Sequence, residues 1–303
     1  MLRFLTLGFC FAVLALPALP FSAQAKEVKV PYNGLTVNAN LNIADGKKLS
    51  DGVVLMLHGT LAHKDMEIMR ALQDLLLERG FNNLAFNLSL AQSDRHGMND
   101  CAGPHEHKDS NAVKEIAFWI NWLKGQGAGP ITVLGHSRGG NQVARYVAAS
   151  PDTSIKRAVL VAPGTWEPGK DARGYKKNYK KDLGPLLAQA ELLTKGGKGD
   201  TLMEDVDFVY CPKTKVDAAS FYDYYRPNPD RDTPSVVDRA KVPVLVVGAS
   251  NDQVSPHIIS KMKTHTGPNV RLEVIQDAGH FFRDLVADEL ADIINDYIGG
   301  GSS

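Results

Sequence analysis

The sequence is poor in cysteine, in net charge and in long apolar runs. It has 34 basic and 34 acidic side chains among 303 residues, so its formal net charge is zero. Such a balance gives no basis for binding nucleic acid or an anionic membrane surface, and neither is predicted as a partner. After residue 25 no apolar run approaches the roughly 18 residues of a membrane span, so stable membrane insertion is not predicted either.

The first 25 residues follow a different pattern from the rest of the chain. Arg3 supplies a positive charge, and the stretch from Phe4 to Leu19 is apolar. Residues 1–25 end in the small-x-small pattern of Ala23-Gln24-Ala25. This arrangement is typical of a signal peptide that is cleaved after Ala25. The sequence therefore predicts an exported protein of the bacterial periplasm or the extracellular space, with a mature chain of residues 26–303.

Cysteine is scarce, and cleavage would make it scarcer. The signal peptide would carry Cys10 away and leave Cys101 and Cys211. Because an oxidising compartment favours pairing of two remaining thiols, we predict a disulfide between them. The alternative is two free cysteines, since a bridge needs Cα atoms within about 7 Å and a sequence does not show that distance.

Strand and helix patterns alternate along most of the mature chain. An edge hairpin is predicted over 26–45, and buried strands at 52–57, 83–88, 131–135, 157–162, 242–248 and 270–275. Helices are predicted at 65–79, at 113–123, directly after Ser137, from Ser255 and at 285–298. This order is typical of an α/β fold with a mostly parallel central sheet flanked by helices. Residues 163–241 interrupt it with a single clear helical stretch at 183–193, which predicts an insertion within one domain.

Residues Ile131 to Ala149 combine a strand, a sharp turn and a helix. The turn has the form Gly-x-Ser-x-Gly, in which Gly135 and Gly139 allow the strand and helix backbones to approach where a Cβ would clash. Such a turn holds the hydroxyl of Ser137 above the sheet and points the N–H of Arg138 at a developing oxyanion. Ser137 is therefore the predicted nucleophile, and the alternative is a glycine-rich turn that happens to contain a serine.

Polar residues with the chemistry that Ser137 needs follow two later strands. A serine requires a base within hydrogen-bond reach, and the base requires an anion that fixes its tautomer. Asp252 follows the strand at 242–248, and His280 follows the strand at 270–275. Because functional side chains collect at the carboxyl ends of parallel strands, these three residues are predicted to form a Ser-His-Asp triad.

Other interpretations of these residues remain open at this point. Asp252 could instead cap the helix that starts near Ser255, and His280 could be a lone surface histidine. Two other carboxylates could orient the base, Glu167 after an earlier strand and Asp277 on the same loop as His280. Asp277 is badly placed to reach behind a ring three residues away.

Taken together, these motifs resemble those of the α/β-hydrolase-fold serine hydrolases. The resemblance rests on His58-Gly59, Gly135-His136-Ser137-Arg138-Gly139, Ser250-Asn251-Asp252 and Ala278-Gly279-His280. It implies that the N–H of Thr60, or of its neighbour Leu61, completes an oxyanion hole with Arg138. It also implies that the ring of His58 braces that loop, and that residues 163–241 form a cap over the pocket. The extra glycines of the lipase-type His-Gly-Gly-Gly loop are absent.

Two polar or aromatic clusters allow more than one interpretation. The aromatic side chains of the insertion suit an apolar acyl or aryl group, or they form the cap's own core: Tyr175, Tyr179, Phe208, Tyr210, Phe221, Tyr222, Tyr224 and Tyr225. The loop after the fourth strand could bind a metal, contact substrate or serve structure alone, and its polar residues are Asp94, His96, Asp100, Cys101, His105, Glu106, His107 and Asp109. Their spacing matches no metal signature, so no metal is predicted.

The sequence thus predicts a cofactor-independent serine hydrolase. The favoured activity is that of a carboxylesterase on a small or medium acyl ester, through an acyl-enzyme on Ser137. A thioesterase, an amidase or peptidase and an acyltransferase remain alternatives, because the same triad serves any acyl acceptor. A non-catalytic binding protein of the same fold would be favoured by a missing triad member, and none is missing.

Overall fold

A computed structural model describes residues 26–149, 152–265 and 267–300. The predicted signal peptide, residues 1–25, lies outside them. In chain order the strands are β1 (Lys26–Tyr32), β2 (Leu35–Asn42), β3 (Val53–Leu57), β4 (Asn83–Phe86), β5 (Pro104–His105), β6 (Ile131–His136), β7 (Ile155–Val161), β8 (Leu202–Phe208), β9 (Cys211–Asp217), β10 (Val244–Ala249) and β11 (Val270–Ile275). The helices are α1 (Glu67–Glu78), α2 (Asn111–Gly125), α3 (Arg138–Ala149), α4 (Lys170–Tyr179), α5 (Leu183–Lys195), α6 (Ala218–Tyr225), α7 (Thr233–Val237), α8 (Ile258–Met262) and α9 (Leu285–Gly299).

Eight strands form the central sheet, in the order β1-β2-β4-β3-β6-β7-β10-β11. Strand β2 runs antiparallel to β1 and β4, and every further pair from β4 to β11 is parallel. The predicted edge hairpin turns at Asn33 and Gly34, both of which have positive φ, as a two-residue hairpin turn requires. The predicted α/β fold with a mostly parallel sheet is confirmed.

Two layers of helices cover the sheet. Strand β3 shows why its apolar run lacks alternation: Leu55 packs into the core on one face and Met56 into the core on the other. Helices α2 and α3 contribute to the first core, which includes the fully buried Trp119, and helices α1 and α9 contribute to the second. Among the described helices, none combines the length and the apolar character that a bilayer crossing demands.

The segment 163–241 lies between β7 and β10, which are neighbours in the central sheet, and it is more ordered than the sequence predicts. Besides the predicted helix, now α5, it holds α4, α6, α7 and the antiparallel pair β8–β9, which joins β5 in a second sheet. The expectation of a single helical stretch is therefore wrong. Helix α4 buries only Tyr175 and β8 carries acidic residues, so neither has an apolar periodicity that the sequence could reveal.

Most aromatic side chains of this segment form its own core. Tyr175, Phe208, Phe221 and Tyr224 are buried together, and Tyr179, Tyr222 and Tyr225 pack against them. Their rings meet edge-on or tilted, as aromatic cores prefer. Of the two interpretations of this aromatic cluster, the structure supports the structural one for these seven residues.

A disulfide joins the loop before β5 to the start of β9. Cys101 and Cys211 have Cα atoms 5.2 Å apart, and they are 110 residues apart in the sequence. The hydroxyl of Thr214 also donates to the Cys101 carbonyl, at 2.7 Å. The predicted disulfide is present, and it fastens the segment 163–241 to the rest of the domain.

Removing this disulfide should destabilise the protein substantially. The double variant Cys101→Ser/Cys211→Ser is expected to lose about 4–5 kcal/mol in the free energy of unfolding, because the bridge restricts a loop of more than a hundred residues in the unfolded chain. Urea unfolding of the variant and of oxidised wild type measures the difference, with reduced wild type as the control. Equal stability, or two free thiols in protein purified from an oxidising compartment, would contradict the prediction.

Candidate active site

Ser137 lies in a strained turn between β6 and α3. Its φ is 57°, in the left-handed region that residues other than glycine seldom adopt. A Cβ on Gly135 would collide with the Gly139 carbonyl, and one on Gly139 would collide with the His58 carbonyl. The backbone N–H of Ser137 donates to the Val161 carbonyl at 2.9 Å. The turn thus has the geometry of a nucleophile elbow, and both glycines are required by close packing.

The structure brings Ser137, His280 and Asp252 into one hydrogen-bonded chain. Ser137 Oγ lies 2.9 Å from His280 Nε2, and His280 Nδ1 lies 2.8 Å from Asp252 Oδ2. Ser137 follows β6, Asp252 follows β10 and His280 follows β11, so the three residues come from the carboxyl ends of strands in one parallel part of the sheet. The arrangement has the order and spacing that a base needs to accept a proton from serine.

Asp252 also caps the turn that follows it. Its Oδ1 accepts hydrogen bonds from the backbone N–H groups of Val254 and Ser255, at 2.7 and 2.8 Å. Burial acts to raise the pKa of Asp252, but the hydrogen bonds from His280 and Ser255 outweigh it and hold this pKa below its usual value. Capping and contact with histidine are therefore compatible, and the cap fixes the orientation of the carboxylate.

The two rival carboxylates lie elsewhere. Glu167 is exposed and pairs with Arg173 in a short contact. Asp277 is exposed, and its backbone N–H donates to the hydroxyl of Ser250 at 2.8 Å. Neither carboxylate bonds to His280 among the contacts of the described residues.

Two backbone N–H groups lie near Ser137, that of Thr60 on the loop after β3 and that of Arg138 at the start of α3. Thr60 lines the same cleft as Ser137 and Arg138, whereas Leu61 is buried and lies outside its lining. The Thr60 hydroxyl accepts a hydrogen bond from Arg138 Nε at 3.0 Å, which ties this loop to the elbow. Within the described residues the N–H groups of Thr60 and Arg138 have no acceptor. Both are available for an oxyanion.

His58 is buried and holds the loop in place. Its Nδ1 donates to the Gly59 carbonyl at 2.9 Å, while its Nε2 accepts from Arg95 and from the N–H of Leu88, both at 3.1 Å. Burial and the charge of Arg95 lower the pKa of His58 well below its usual value. The ring is therefore a neutral brace for the loop, in accord with the role that the resemblance implies.

His136 is a second buried histidine, which the sequence did not single out. Its Nε2 donates to the backbone carbonyl of His280 at 2.9 Å, so it positions the loop that carries the base. Burial, with a smaller contribution from the neighbouring His280, lowers the pKa of His136 to about 4. It lies directly before Ser137, and that adjacency was the one available signal.

The depressed pKa of His136 should make folding stability depend on pH. An unfolded histidine binds a proton below about pH 6.5, whereas the folded ring resists protonation down to about pH 4. Its contribution is present in full above pH 6.5 and is lost as the pH falls toward 4. Between pH 7 and 4.5 urea unfolding should show a loss of about 2–3 kcal/mol from this residue alone.

The variant His136→Gln isolates this contribution. Glutamine does not titrate, and its amide nitrogen can still donate to the His280 carbonyl. We expect the variant to lose less stability than wild type over the same pH interval, while His58 contributes equally to both. An identical pH dependence in the two proteins would show that His136 is not the titrating group.

Comparison with known proteins identifies the family of this chain. A family model of the alpha/beta hydrolase fold matches residues 52–284. The chain belongs to the α/β-hydrolase family. Among curated proteins none matches the sequence. Solved α/β-hydrolase structures match nearly the whole chain, at identities that show the fold alone.

Three of these structures illustrate the likeness. Est1E from Butyrivibrio proteoclasticus superposes with a TM-score of 0.64 at 16% identity, covering 90% of this chain and 98% of that one. The Pyrococcus furiosus esterase Pf2001 has a TM-score of 0.62 at 20% identity, with 95% and 96% covered. The Paleococcus ferrophilus monoacylglycerol lipase has a TM-score of 0.60 at 17% identity, with 88% and 99% covered.

In this α/β-hydrolase the loop at 94–109 serves the site indirectly. The buried Asp109 contacts Arg145 closely, Arg138 at 3.4 Å and the amide of Gln142 at 2.9 Å. Although burial acts to raise the pKa of Asp109, the two arginines lower it far below its usual value.

The histidines and carboxylates of this loop do not form a metal site. His107 pairs with the buried Glu115 at 2.9 Å. No three His, Cys, Asp or Glu side chains of the described residues are grouped to hold a metal.

The hydrolase cleft at Ser137 is small and largely polar. Its volume is about 190 Å³, and its lining comprises Thr60, Ser137, Arg138, Asn141, Gly164, Thr165, Trp166, Lys170, Asp171, Tyr210, Arg231, Val254 and Ser255. Only two aromatic residues, Trp166 and Tyr210, contribute to this lining. A cleft of this size and lining can hold a small group with polar atoms.

Proposed function

We propose that this α/β-hydrolase is a carboxylesterase with Ser137 as its nucleophile. The observation that carries the proposal is the hydrogen-bonded chain from Ser137 through His280 to Asp252, next to two N–H groups without acceptors. Serine is a weak nucleophile at neutral pH, and a base in contact with its Oγ is the usual means of activating it.

The mechanism follows from the atoms in contact. As Ser137 Oγ bonds to the acyl carbon, His280 Nε2 takes the hydroxyl proton, and the N–H groups of Arg138 and Thr60 bind the oxyanion. The histidine then gives the proton to the departing alcohol, which leaves an acyl ester on Ser137. Water then attacks the acyl carbon as His280 takes its proton, the bond to Ser137 Oγ breaks, and His280 returns the proton to Oγ as the carboxylic acid leaves. Asp252 holds the ring with its proton on Nδ1 and stabilises the imidazolium.

A small ester is the substrate that the site favours. The cleft, with a volume of about 190 Å³, accommodates a small acyl group, and a longer chain would extend beyond it. The structural neighbours described as esterases or a lipase support ester chemistry, and one structure of Est1E holds ferulic acid. These likenesses concern the fold and the same triad also serves thioesters and amides, so the preference for an ester is part of the proposal that the assay below tests.

Ester hydrolysis can be tested directly on residues 26–303. We expect p-nitrophenyl esters of short and medium acyl chains to be hydrolysed, with a decline as the chain lengthens. A fluorophosphonate probe should label the same protein, since it reports an activated serine independently of substrate choice. Absence of both hydrolysis and labelling would contradict the proposal.

Export is a further part of the proposed function. It is supported by the signal-peptide pattern of residues 1–25 and by the Cys101–Cys211 disulfide, since such bridges persist in oxidising compartments. Expression of the whole chain followed by cell fractionation tests it. The exported fraction should hold a protein whose intact mass corresponds to residues 26–303, and an uncleaved cytoplasmic protein would refute the idea.

A further inference from the structure

We propose that the ester hydrolysed by this protein carries a carboxylate, which Lys170 and Arg138 bind inside the cleft. The inference rests on the proposed esterase function and adds a substrate class to it. It comes from the charges of the side chains that surround Ser137. Three cationic side chains, Arg138, Lys170 and Arg231, line the cleft together with a single carboxylate, that of Asp171.

Lys170 is the first residue of α4, and its charge has no counterion. Its Nζ donates to the carbonyl and hydroxyl of Thr165, and no carboxylate of the described residues lies in ion-pair contact with it. The side chain is half-buried. Burial lowers the pKa of Lys170, with Lys261 and Arg138 adding to the effect and Asp171 and Asp232 opposing it. An ammonium in this position gains most from a ligand that brings a negative charge.

Arg138 is only partly neutralised. Its Nη1 lies 3.4 Å from Asp109 Oδ1, and the other oxygen of Asp109 contacts Arg145 more closely. One carboxylate is therefore shared by two guanidinium groups, which leaves an excess of positive charge. The guanidinium lies over the Tyr224 ring, 5.1 Å from its centre, and the side chain is 29% exposed. Its unused donors are available to a carboxylate in the cleft.

The third cation does not need a ligand. Arg231 Nη2 bonds to Asp171 Oδ2 at 2.6 Å, and that oxygen also accepts from the indole N–H of Trp166 at 2.9 Å. The carboxylate of Asp171 in the cleft lining is therefore already paired with Arg231.

The unpaired charge of Lys170 favours one kind of substrate. A neutral substrate would displace water from Lys170 without replacing its hydrogen bonds, whereas a carboxylate would replace them with stronger ones.

Matched substrate pairs test the inference on either side of the ester bond. For the acyl side, mono-p-nitrophenyl adipate is compared with its neutral amide, p-nitrophenyl adipamate. For the alcohol side, para-acetoxybenzoate is compared with para-acetoxybenzamide. Each enzymatic rate is divided by the uncatalysed rate, so that intrinsic reactivity cancels. Wild type is expected to prefer the carboxylate in at least one pair by about tenfold or more in kcat/KM, the worth of a hydrogen bond to a charged group.

The variant Lys170→Gln should reduce this preference by about tenfold, measured as the ratio of the two kcat/KM values so that any general loss of activity cancels. Lys177→Gln is the matched control, because Lys177 is exposed on the same helix and lies outside the Ser137 cleft. The wild-type preference should also shrink as salt rises from about 0.02 to 0.5 M, because ions screen the attraction. This measurement does not depend on the folding of a variant.

The outcomes separate this inference from the proposed function. Neutral esters that are hydrolysed without a preference above about twofold in either pair would overturn the carboxylate class. A preference that survives Lys170→Gln, or that is indifferent to salt, would overturn its basis in Lys170. Failure of wild type to hydrolyse any ester would count against the esterase proposal instead.

Discussion

Replacing Ser137 by alanine is expected to lower kcat for ester hydrolysis by about 10⁴–10⁶-fold, the range that removal of a nucleophile produces in other triads. The reason is geometric: Ser137 Oγ is the atom in contact with His280 Nε2, and water in its place would lack the same positioning. His280→Ala should cause a loss of similar size, because members of a triad act as one unit. Steady-state kinetics on a p-nitrophenyl ester measures both.

Labelling by a fluorophosphonate gives an independent readout of the same prediction. The probe should modify wild type at Ser137 and leave Ser137→Ala unlabelled. Ser260→Ala is a suitable control, since Ser260 is exposed on α8 and its hydroxyl donates to the carbonyl of His257 just before that helix. Labelling that persists in Ser137→Ala, or a loss below about tenfold in His280→Ala, would mean that another group does the work.

The amide variant Asp252→Asn is expected to reduce kcat by about 10⁴-fold while the fold is retained. Asparagine can keep one oxygen on the N–H groups of Val254 and Ser255, which leaves its NH₂ facing His280 Nδ1. The ring must then accept at Nδ1 and carry its proton on Nε2. In that tautomer it cannot take a proton from Ser137.

The rival carboxylates supply the controls for this experiment. Glu167→Gln and Asp277→Asn should keep near-normal turnover, since Glu167 pairs with Arg173 and Asp277 is exposed away from the ring. Urea unfolding of all three variants separates lost catalysis from lost stability. Near-normal turnover in Asp252→Asn, or a large loss of turnover in either control variant, would show that a carboxylate other than Asp252 orients His280.

Most of the candidate site could be predicted from the sequence because its residues lie near the ends of predicted strands. The parallel order of the sheet follows from alternating strand and helix patterns, and it places the residues after β6, β10 and β11 at one edge. Ser137, Asp252 and His280 could be found in this way because each lies within a few residues of the end of a predicted strand. Cys101 and Cys211 could be paired because export would leave only two thiols.

Other features depend on contacts that no local pattern carries. Helix α4 and strand β8 are polar on most sides because each covers only a small core, so periodicity does not reveal them. In the sequence, Asp109 is one of several acidic residues of the loop at 94–109, and nothing distinguishes it from the others. Its contact with Arg138 and Arg145 arises only when α3 packs beside that loop. Long-range pairing of this kind is set by the tertiary fold.

The inserted segment 163–241 and the rest of the chain contribute different residues to the cleft, and these two groups can evolve separately. The triad and both N–H groups come from outside 163–241, whereas Trp166, Lys170, Asp171, Tyr210 and Arg231 of the cleft come from within it. If the proposed function holds, mutations within 163–241 can alter which ester is accepted while Ser137, Asp252 and His280 stay unchanged. Recombination is more constrained, because the disulfide has one cysteine in each stretch. A foreign segment spliced into this scaffold must bring a partner for Cys101 or leave an orphan thiol behind.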